Sequence, residues 1–274
     1  NEIDLQWGIL IVIYPFITGL VAGAFILASL ERVFKDKILK PTYQIALLTA
    51  LSFLLVATLP LIFHLSQPQR AYEIMITPHL SSAMAIFGFV YLWYLMVVLL
   101  LEIWFDYRHS MVVWAEEKKG ILKWIYRILT LGLSDISPRT LSWDRKLGYI
   151  ITVVGIPSAF ILHGYVGFIF GSIKANPWWS TPLMPIIFLF SAMVSGISMV
   201  MLIFMVVSYI RTRSLDINVL DSIGKYLFFV LILDFTLEGL DQIHRIYEAE
   251  ESFETIKLLV ESKLFLTLFI SQRL

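Results

Sequence analysis

The 274-residue chain is 58% apolar and only 15% charged, with a mean hydropathy of +0.80, whereas soluble domains carry roughly a quarter charged residues. Its 21 basic and 21 acidic residues cancel, so charge gives no sign of a nucleic-acid partner and we expect none. The absence of cysteine excludes disulfides, thiolate catalysis and Cys-ligated clusters on this chain. The composition therefore predicts an all-α integral membrane protein, surrounded by lipid, with any redox cluster on another subunit.

Long apolar runs predict six transmembrane helices and the beginning of a seventh near residue 257, because one bilayer crossing takes about 20 residues. The six runs are 5–30, 42–64, 79–105, 147–171, 182–210 and 222–244. The last run reaches Leu274 after too few residues to cross, which predicts a truncated C-terminus. No internal repeat is visible, so residues 1–274 are predicted to form one polytopic transmembrane domain of about seven spans.

Basic residues concentrate in the loops after the first, third and fifth predicted spans. The loops on the other side hold only Arg70, Lys174, Arg245 and Lys257. By the positive-inside rule, this asymmetry predicts an outside N-terminus and cytoplasmic basic loops. The longest of these, 106–146, has apolar residues spaced for a helix that lies in the membrane interface; an ordinary surface helix is the alternative.

The sixth predicted span carries ionisable residues on one helix face. Asp234, Glu238, Asp241 and Arg245 follow one another at intervals of four, three and four residues, and each charge in hydrocarbon costs at least about 2.5 kcal/mol. Stacked carboxylates favour one another's protonation, so Asp234, Glu238 and Asp241 are predicted to be catalytic groups that hold and pass protons. A structural ion pair with Arg245 is the alternative.

Other polar residues also fall within or beside the predicted spans. His163 lies deep in the fourth, beyond the kink expected at Pro157, where an imidazole suits a quinone carbonyl or a proton relay. A hydrogen bond to a neighbouring helix is the structural alternative. Glu31 and Glu102 lie at predicted helix ends, where we expect an acidic side chain either to extend to the membrane surface or to cap the helix. Since the histidines lack the paired pattern of two-haem bundles, we expect neither haem nor metal on this chain.

Two loops on the predicted outer side carry recognisable motifs. The first reads His64-Leu-Ser-Gln-Pro68-Gln-Arg70 and leads into Thr77-Pro78-His79-Leu-Ser81-Ser82. The second follows His163-Gly164-Tyr165, reads Asn176-Pro177-Trp178-Trp179, and precedes Ser191-Ala192 and Gly196. These segments resemble the NrfD and polysulfide reductase membrane-subunit family, in particular the branch found in membrane-bound hydrogenases and DsrP-type complexes. Ser66 and Gln67 depart from that family's loop pattern, and the family has eight or more spans.

The resemblance implies a haem-free subunit of a respiratory complex in a prokaryotic cytoplasmic membrane, active in anaerobic or sulfur metabolism. Such a subunit exchanges electrons between menaquinol or menaquinone, its substrate, and a partner on the outer face that carries four-iron clusters. The implied quinone contacts are His163, Tyr165 and His79, and the implied partner contacts are His64, Arg70 and Trp178. The runner-up is a secondary transporter or ion channel that uses the carboxylates of the sixth span. A passive membrane anchor is a third reading.

Overall fold

The computed structural model describes residues 8–65, 67–77, 81, 83–174, 178–247 and 253–261, which fold into helices and their connections. The α-helices are α1 Ile9–Arg32, α2 Lys40–Ala57, α3 Leu59–His64, α4 Glu73–Ile76, α5 Ala83–Leu92, α6 Leu100–Glu117, α7 Ile121–Leu129, α8 Pro138–Gly171, α9 Met184–Thr212, α10 Ile217–Tyr247 and α11 Phe253–Glu261. A π-helical segment, Trp93–Leu99, joins α5 to α6.

Among the described residues, five stretches are helical, long and apolar enough to cross a membrane. These are Ile9–Arg32, Lys37–His64, Ile86–Glu117, Pro138–Gly171 and Met184–Thr212. α10 has 31 residues, a crossing length, but its carboxylates set it apart from those five. The prediction of an all-α polytopic bundle is confirmed, whereas the outside N-terminus stays a prediction. Most of the predicted seventh span lies outside the described residues.

The helix boundaries differ from the predicted spans where local chemistry intervenes. The second span is divided at Thr58, just before Pro60, whose ring occupies the first turn of α3 and which has no N–H to continue the hydrogen bonds of the preceding helix. α8 begins at Pro138, after a Ser137 cap, and runs without interruption through Pro157. The cytoplasmic loop was predicted over 106–146, but α6 continues to Glu117 and α8 already begins at Pro138. The connection between them is therefore residues 118–137, which contain α7.

α1 lies at the centre of the bundle, packed against α2, α8 and α9. Its residues from Thr18 to Ser29 are all buried, because small side chains let the neighbouring backbones approach. A Cβ atom placed on Gly196 of α9 would lie 2.5 Å from the Gly23 Cα atom, and one placed on Gly23 would overlap the Ala192 carbonyl. Only glycine fits this crossing, as in other close helix pairs of membranes.

Successive long helices alternate in direction, which gives the bundle two distinct ends. At the basic end, which carries the loops 33–36, 118–137 and 213–216, the Tyr226 hydroxyl donates to Asp36 at 2.9 Å. At the tryptophan end, which carries Trp178 and Trp179, α10 meets the start of α9. α7 lies at the basic end, with its apolar residues exposed. Its placement in a membrane interface stays a prediction.

An ion pair between α6 and α8 orders the basic end. The Arg108 guanidinium is 1% exposed and donates to Asp144 at 2.5 and 2.8 Å. It also donates to the Asp135 carbonyl at 2.7 Å, and the Thr140 hydroxyl, which donates to the Asp135 carboxylate, lowers the pKa of that carboxyl. The loop that precedes α8 is therefore fixed by a buried cation that holds both the loop backbone and α8.

We expect Gly23→Ala to lower the free energy of unfolding by about 1–3 kcal/mol, because the added methyl group must push α1 away from α9. Thermal unfolding of the detergent-purified protein measures this loss. The matched control is Gly224→Ala in α10, where a Cβ atom meets nothing within 4 Å and alanine favours the helix. Equal unfolding temperatures for the two variants would contradict the packing described for Gly23.

Candidate functional site: a cavity at the tryptophan end

A cavity of about 470 Å³ lies among α1, α8, α9 and α10 near the tryptophan end. Its walls are mainly apolar and aromatic, formed by Val12, Pro15, Phe16, Gly19, Phe170, Trp178, Trp179, Met184, Ile187, Phe188 and Ala192. Its polar groups come from His163, Ser191, Ser195, Glu238, Asp241, Gln242 and Arg245. A mostly apolar cavity of this size with a few convergent polar groups is typical of a small-molecule site.

His163 borders the cavity from α8 and is only 3% exposed. Its Nδ1 atom lies 3.4 Å from the Thr18 hydroxyl, a long contact, since that hydroxyl also donates to the Pro15 carbonyl at 3.0 Å. The imidazole stacks on Phe188 at 5.7 Å between ring centroids and hydrogen-bonds the Phe188 backbone. His163 thus bonds to neighbouring helices, as a purely structural histidine would, and its ring also faces the cavity.

Asp241 and Arg245 form the α10 wall of the cavity. The Arg245 Nε atom donates to Asp241 at 2.7 Å, and the Thr181 hydroxyl donates to the other carboxylate oxygen at 2.8 Å. The two side chains are 13% and 3% exposed, and the guanidinium lies 6.0 Å from the centre of the Trp178 ring. The acidic stripe of α10 therefore contains a structural ion pair with Arg245, the alternative to a proton-carrying role. This ion pair borders the same cavity as Glu238.

The structure separates Asp234 and Tyr165, two of the other predicted quinone and proton residues, from this cavity. Asp234 is buried, at 9% exposure, but is not among the lining residues. Tyr165 stacks on Phe87 at 6.4 Å between ring centroids, also away from the lining. His79 lies outside the described residues. Of the six residues predicted for quinone or protons, His163, Glu238 and Asp241 thus come together at one cavity.

The predicted partner-contacting residues divide between two places. Trp178 lies at the cavity, beside Arg245. His64 ends α3, and Arg70 lies in an exposed turn where it donates to Glu73 at 2.7 and 2.8 Å. The Arg70 guanidinium lowers the pKa of the Glu73 carboxyl by this hydrogen bond. Arg70 is therefore held by its own loop, with its side chain 60% exposed.

Sequence reasoning missed several polar residues. Gln242 lies four residues after Glu238, a spacing that would have placed it on the same face. Thr181 had no signal, because its contact with Asp241 joins two distant parts of the chain. Glu102, interpreted as a helix-end residue, has no exposed surface, because α6 continues for four more turns.

In the part of the chain that the structure describes, no three His, Asp or Glu side chains converge as metal ligands.

Long apolar helices of alternating direction, with a cavity that a few polar side chains enter, define a multi-pass membrane protein. The chain belongs to the family described as polysulphide reductase, NrfD, whose model matches residues 1–270. The family resemblance inferred from the loop motifs is thereby confirmed.

Three relatives illustrate the breadth of the family. The chain is 34% identical to a selenate reductase subunit of Mesobacillus selenatarsenatis over 73% of its own length and 48% of the relative's. It is 26% identical to a Halobacterium salinarum protein provisionally named as a membrane subunit of dimethyl sulfoxide reductase, over 81% of this chain and 48% of that protein. It is 28% identical to protein NrfD of Escherichia coli, over 70% of this chain and 58% of that protein. The chain thus spans about half the length of these relatives.

We expect Asp241→Asn to lower the free energy of unfolding by about 3 kcal/mol, because it leaves a buried guanidinium without its carboxylate. The matched control is Asp221→Asn on the same helix, since Asp221 and Lys225 have the same four-residue spacing but are 59% and 76% exposed. This control should cost no more than about 0.5 kcal/mol. Chemical unfolding in detergent measures both, and equal losses would contradict a buried role for Asp241.

Proposed function

We propose that this chain is the quinone-reactive membrane subunit of a prokaryotic respiratory oxidoreductase and that the quinone head group binds in the cavity at the tryptophan end. The observation that carries the proposal is the convergence of His163, Glu238 and Asp241 on one aromatic-walled cavity. Membership of the NrfD family and the reductase-subunit names of the relatives support it. Menaquinone is the proposed substrate, and this chain is proposed to bind no haem.

The cavity offers complementary surfaces for the two parts of a quinone. Phe16, Ile187 and Phe188 present apolar surface to the ring and the start of its isoprenoid tail. The contact of the His163 ring with Thr18 is long, and a quinone carbonyl would accept the hydrogen bond that the ring makes to the Phe188 backbone. A buried donor of this kind selects a ligand that carries an acceptor, since a ligand without one leaves the donor unpaired.

Oxidation of a quinol releases two electrons and two protons, and the cavity provides acceptors for the protons. One quinol hydroxyl gives its proton to the Glu238 carboxylate, and the other gives its proton to the His163 imidazole. The adjacent Arg245 cation, 2.7 Å from Asp241, stabilises the negative charge that each deprotonated oxygen carries. Asp234, buried on the same helix, extends the carboxylate stripe into the bundle and is the proposed next proton acceptor.

The electrons require a partner, because this chain has no cysteine for a cluster. We place an iron–sulfur subunit with four-iron clusters against the tryptophan end, which the distribution of basic loops orients outward. Trp178 and Trp179 line the cavity from the loop at this end, so a cluster above them would face the bound quinone. Exposed Arg70 and the neighbouring His64 are proposed to contact the same partner. The basic loops then lie in the cytoplasm.

We expect His163→Leu to raise about ten-fold the menaquinol-analogue concentration that half-saturates reduction of the iron–sulfur centres, since one hydrogen bond to the ligand is lost. The complex is purified from native membranes, and the loss of cluster absorbance on adding a soluble naphthoquinol gives the rate. His109→Leu, an exposed histidine of α6 at the basic end, is the matched control and should leave the value unchanged.

Three outcomes of this measurement would count against the proposal. Equal half-saturation for the His163 variant and the native complex would remove His163 from the site. A purified complex without iron, or iron that quinol leaves oxidised, would remove the proposed partner. A chain that purifies alone and binds no quinone would move the transporter reading to first place.

A further inference from the structure

A second polar cluster lies at the basic end, remote from the cavity, and it is centred on Glu102. This side chain of α6 has no exposed surface. One of its carboxyl oxygens, Oε1, lies 2.6 Å from the Thr152 hydroxyl and 3.0 Å from the Tyr43 hydroxyl. Among the residues that the structure describes, no donor reaches the other oxygen, Oε2. A fully ionised carboxylate would here leave one charged oxygen buried without compensation, which is costly in hydrocarbon.

The hydrogens available to the cluster are too few for an ionised Glu102. The Tyr43 hydroxyl lies 2.5 Å from Asp106 as well as 3.0 Å from Glu102, yet a phenol has one hydrogen to donate. The Arg32 guanidinium donates to the Tyr43 oxygen and, at 2.7 and 2.9 Å, to Asp106. If Tyr43 donates to Asp106 across the shorter distance, its contact with Glu102 is a hydrogen bond only when Glu102 carries the hydrogen.

The charges lead to the same result. One cation, Arg32, faces two carboxyl groups, Asp106 and Glu102, and it lies 2.7 Å from the first but 3.7 Å from the second. Both carboxylates ionised would leave the cluster with a net negative charge inside the bundle. A proton on Glu102 makes the cluster neutral, and the Glu102 hydroxyl then donates to Tyr43, which donates to Asp106. This arrangement gives a hydrogen to both the Tyr43–Asp106 contact and the Glu102–Tyr43 contact.

We propose that Glu102 is a proton-binding site that exchanges its proton with water at the basic end through Tyr43 and Asp106. In the exchange, the Glu102 hydroxyl passes its proton to the Tyr43 oxygen while the Tyr43 hydroxyl passes its own to Asp106. Glu102 becomes a carboxylate and Asp106 becomes a carboxylic acid. Asp106 is 18% exposed and releases the proton to water. The inference does not rest on the proposed quinone site, because it concerns the opposite end of the bundle.

Each helix packed around Glu102 contributes to its environment. α1 provides Arg32, α2 provides Tyr43, α6 itself provides Asp106, and α8 provides the uncharged Thr152. The preceding π-helical segment provides Tyr94, fully buried and within electrostatic range of Glu102, whose hydroxyl has no hydrogen-bond partner among the described residues. Toward the cavity side, Phe25 packs edge-on against Tyr94 at 5.6 Å, so the described route from Glu102 leads to the basic end.

Infrared difference spectroscopy of the purified protein tests the proposal, since only a protonated carboxyl group gives a carboxylic-acid carbonyl band. We expect such a band near neutral pH, its loss in Glu102→Gln, and its shift to a different frequency in Thr152→Val, which removes one hydrogen bond. In Tyr43→Phe, the band should persist while its exchange into deuterated water slows by about a hundred-fold, a typical contribution of a positioned proton-transfer group. Glu116→Gln, on the exposed side of α6, is the control.

The result that would overturn the proposal is a carbonyl band that is absent near neutral pH, or one that Glu102→Gln and Thr152→Val both leave unchanged. An exchange rate that Tyr43→Phe leaves at the native value would remove Tyr43 and Asp106 as the route. Thr152→Val keeps the test decisive if Glu102→Gln fails to fold. Because the spectrum requires neither quinone nor partner, its outcome is independent of the proposed electron-transfer function.

Discussion

The backbone contact of α1 with α9 at Gly23 and Gly196 is the constraint on which the rest of the bundle depends. It brings α1 into the centre, where its small residues bury it on all sides. On one side of the crossing α1 contributes Thr18 to the cavity histidine, and on the other it contributes Arg32 to the Glu102 cluster. These two residues are about 21 Å apart along the helix axis. A closely packed, apolar middle thus separates two polar sites at opposite ends.

The two sites compensate buried charge in different ways. At the tryptophan end, Asp241 has a full cation, Arg245, and a hydroxyl from Thr181, so its ionised form is stabilised by charge-assisted hydrogen bonds. At the basic end, one guanidinium is shared by two carboxyl groups, and protonation is the simplest way to remove the excess charge. The first arrangement favours a fixed polar wall around a ligand, and the second favours a group that gains and loses a proton.

The sequence predicted the bundle, the family and the cavity's main polar residues, because each of these is a local pattern: apolar length, loop motifs, and a helical stripe of acids. It could not predict which patterns meet in space. Tyr165 was grouped with His163, yet two residues along a helix turn the side chain by about 200°, and Tyr165 stacks on Phe87 instead. Glu102 was assigned to a helix end because the apolar run stops there, whereas α6 continues to Glu117 and keeps the residue inside the bundle.

The most direct test of the quinone site is to map where a photoactivatable menaquinone analogue attaches to the complex purified from native membranes. Digestion and mass spectrometry identify the labelled residues, with excess unlabelled menaquinone as competitor. The account predicts that the analogue labels residues 12–19 of α1 and 184–195 of α9, which contribute side chains to the cavity lining, and that excess menaquinone prevents this labelling. Labelling that competitor leaves unchanged, or that falls on the outward-facing phenylalanines of α10 such as Phe228 and Phe235, would contradict it.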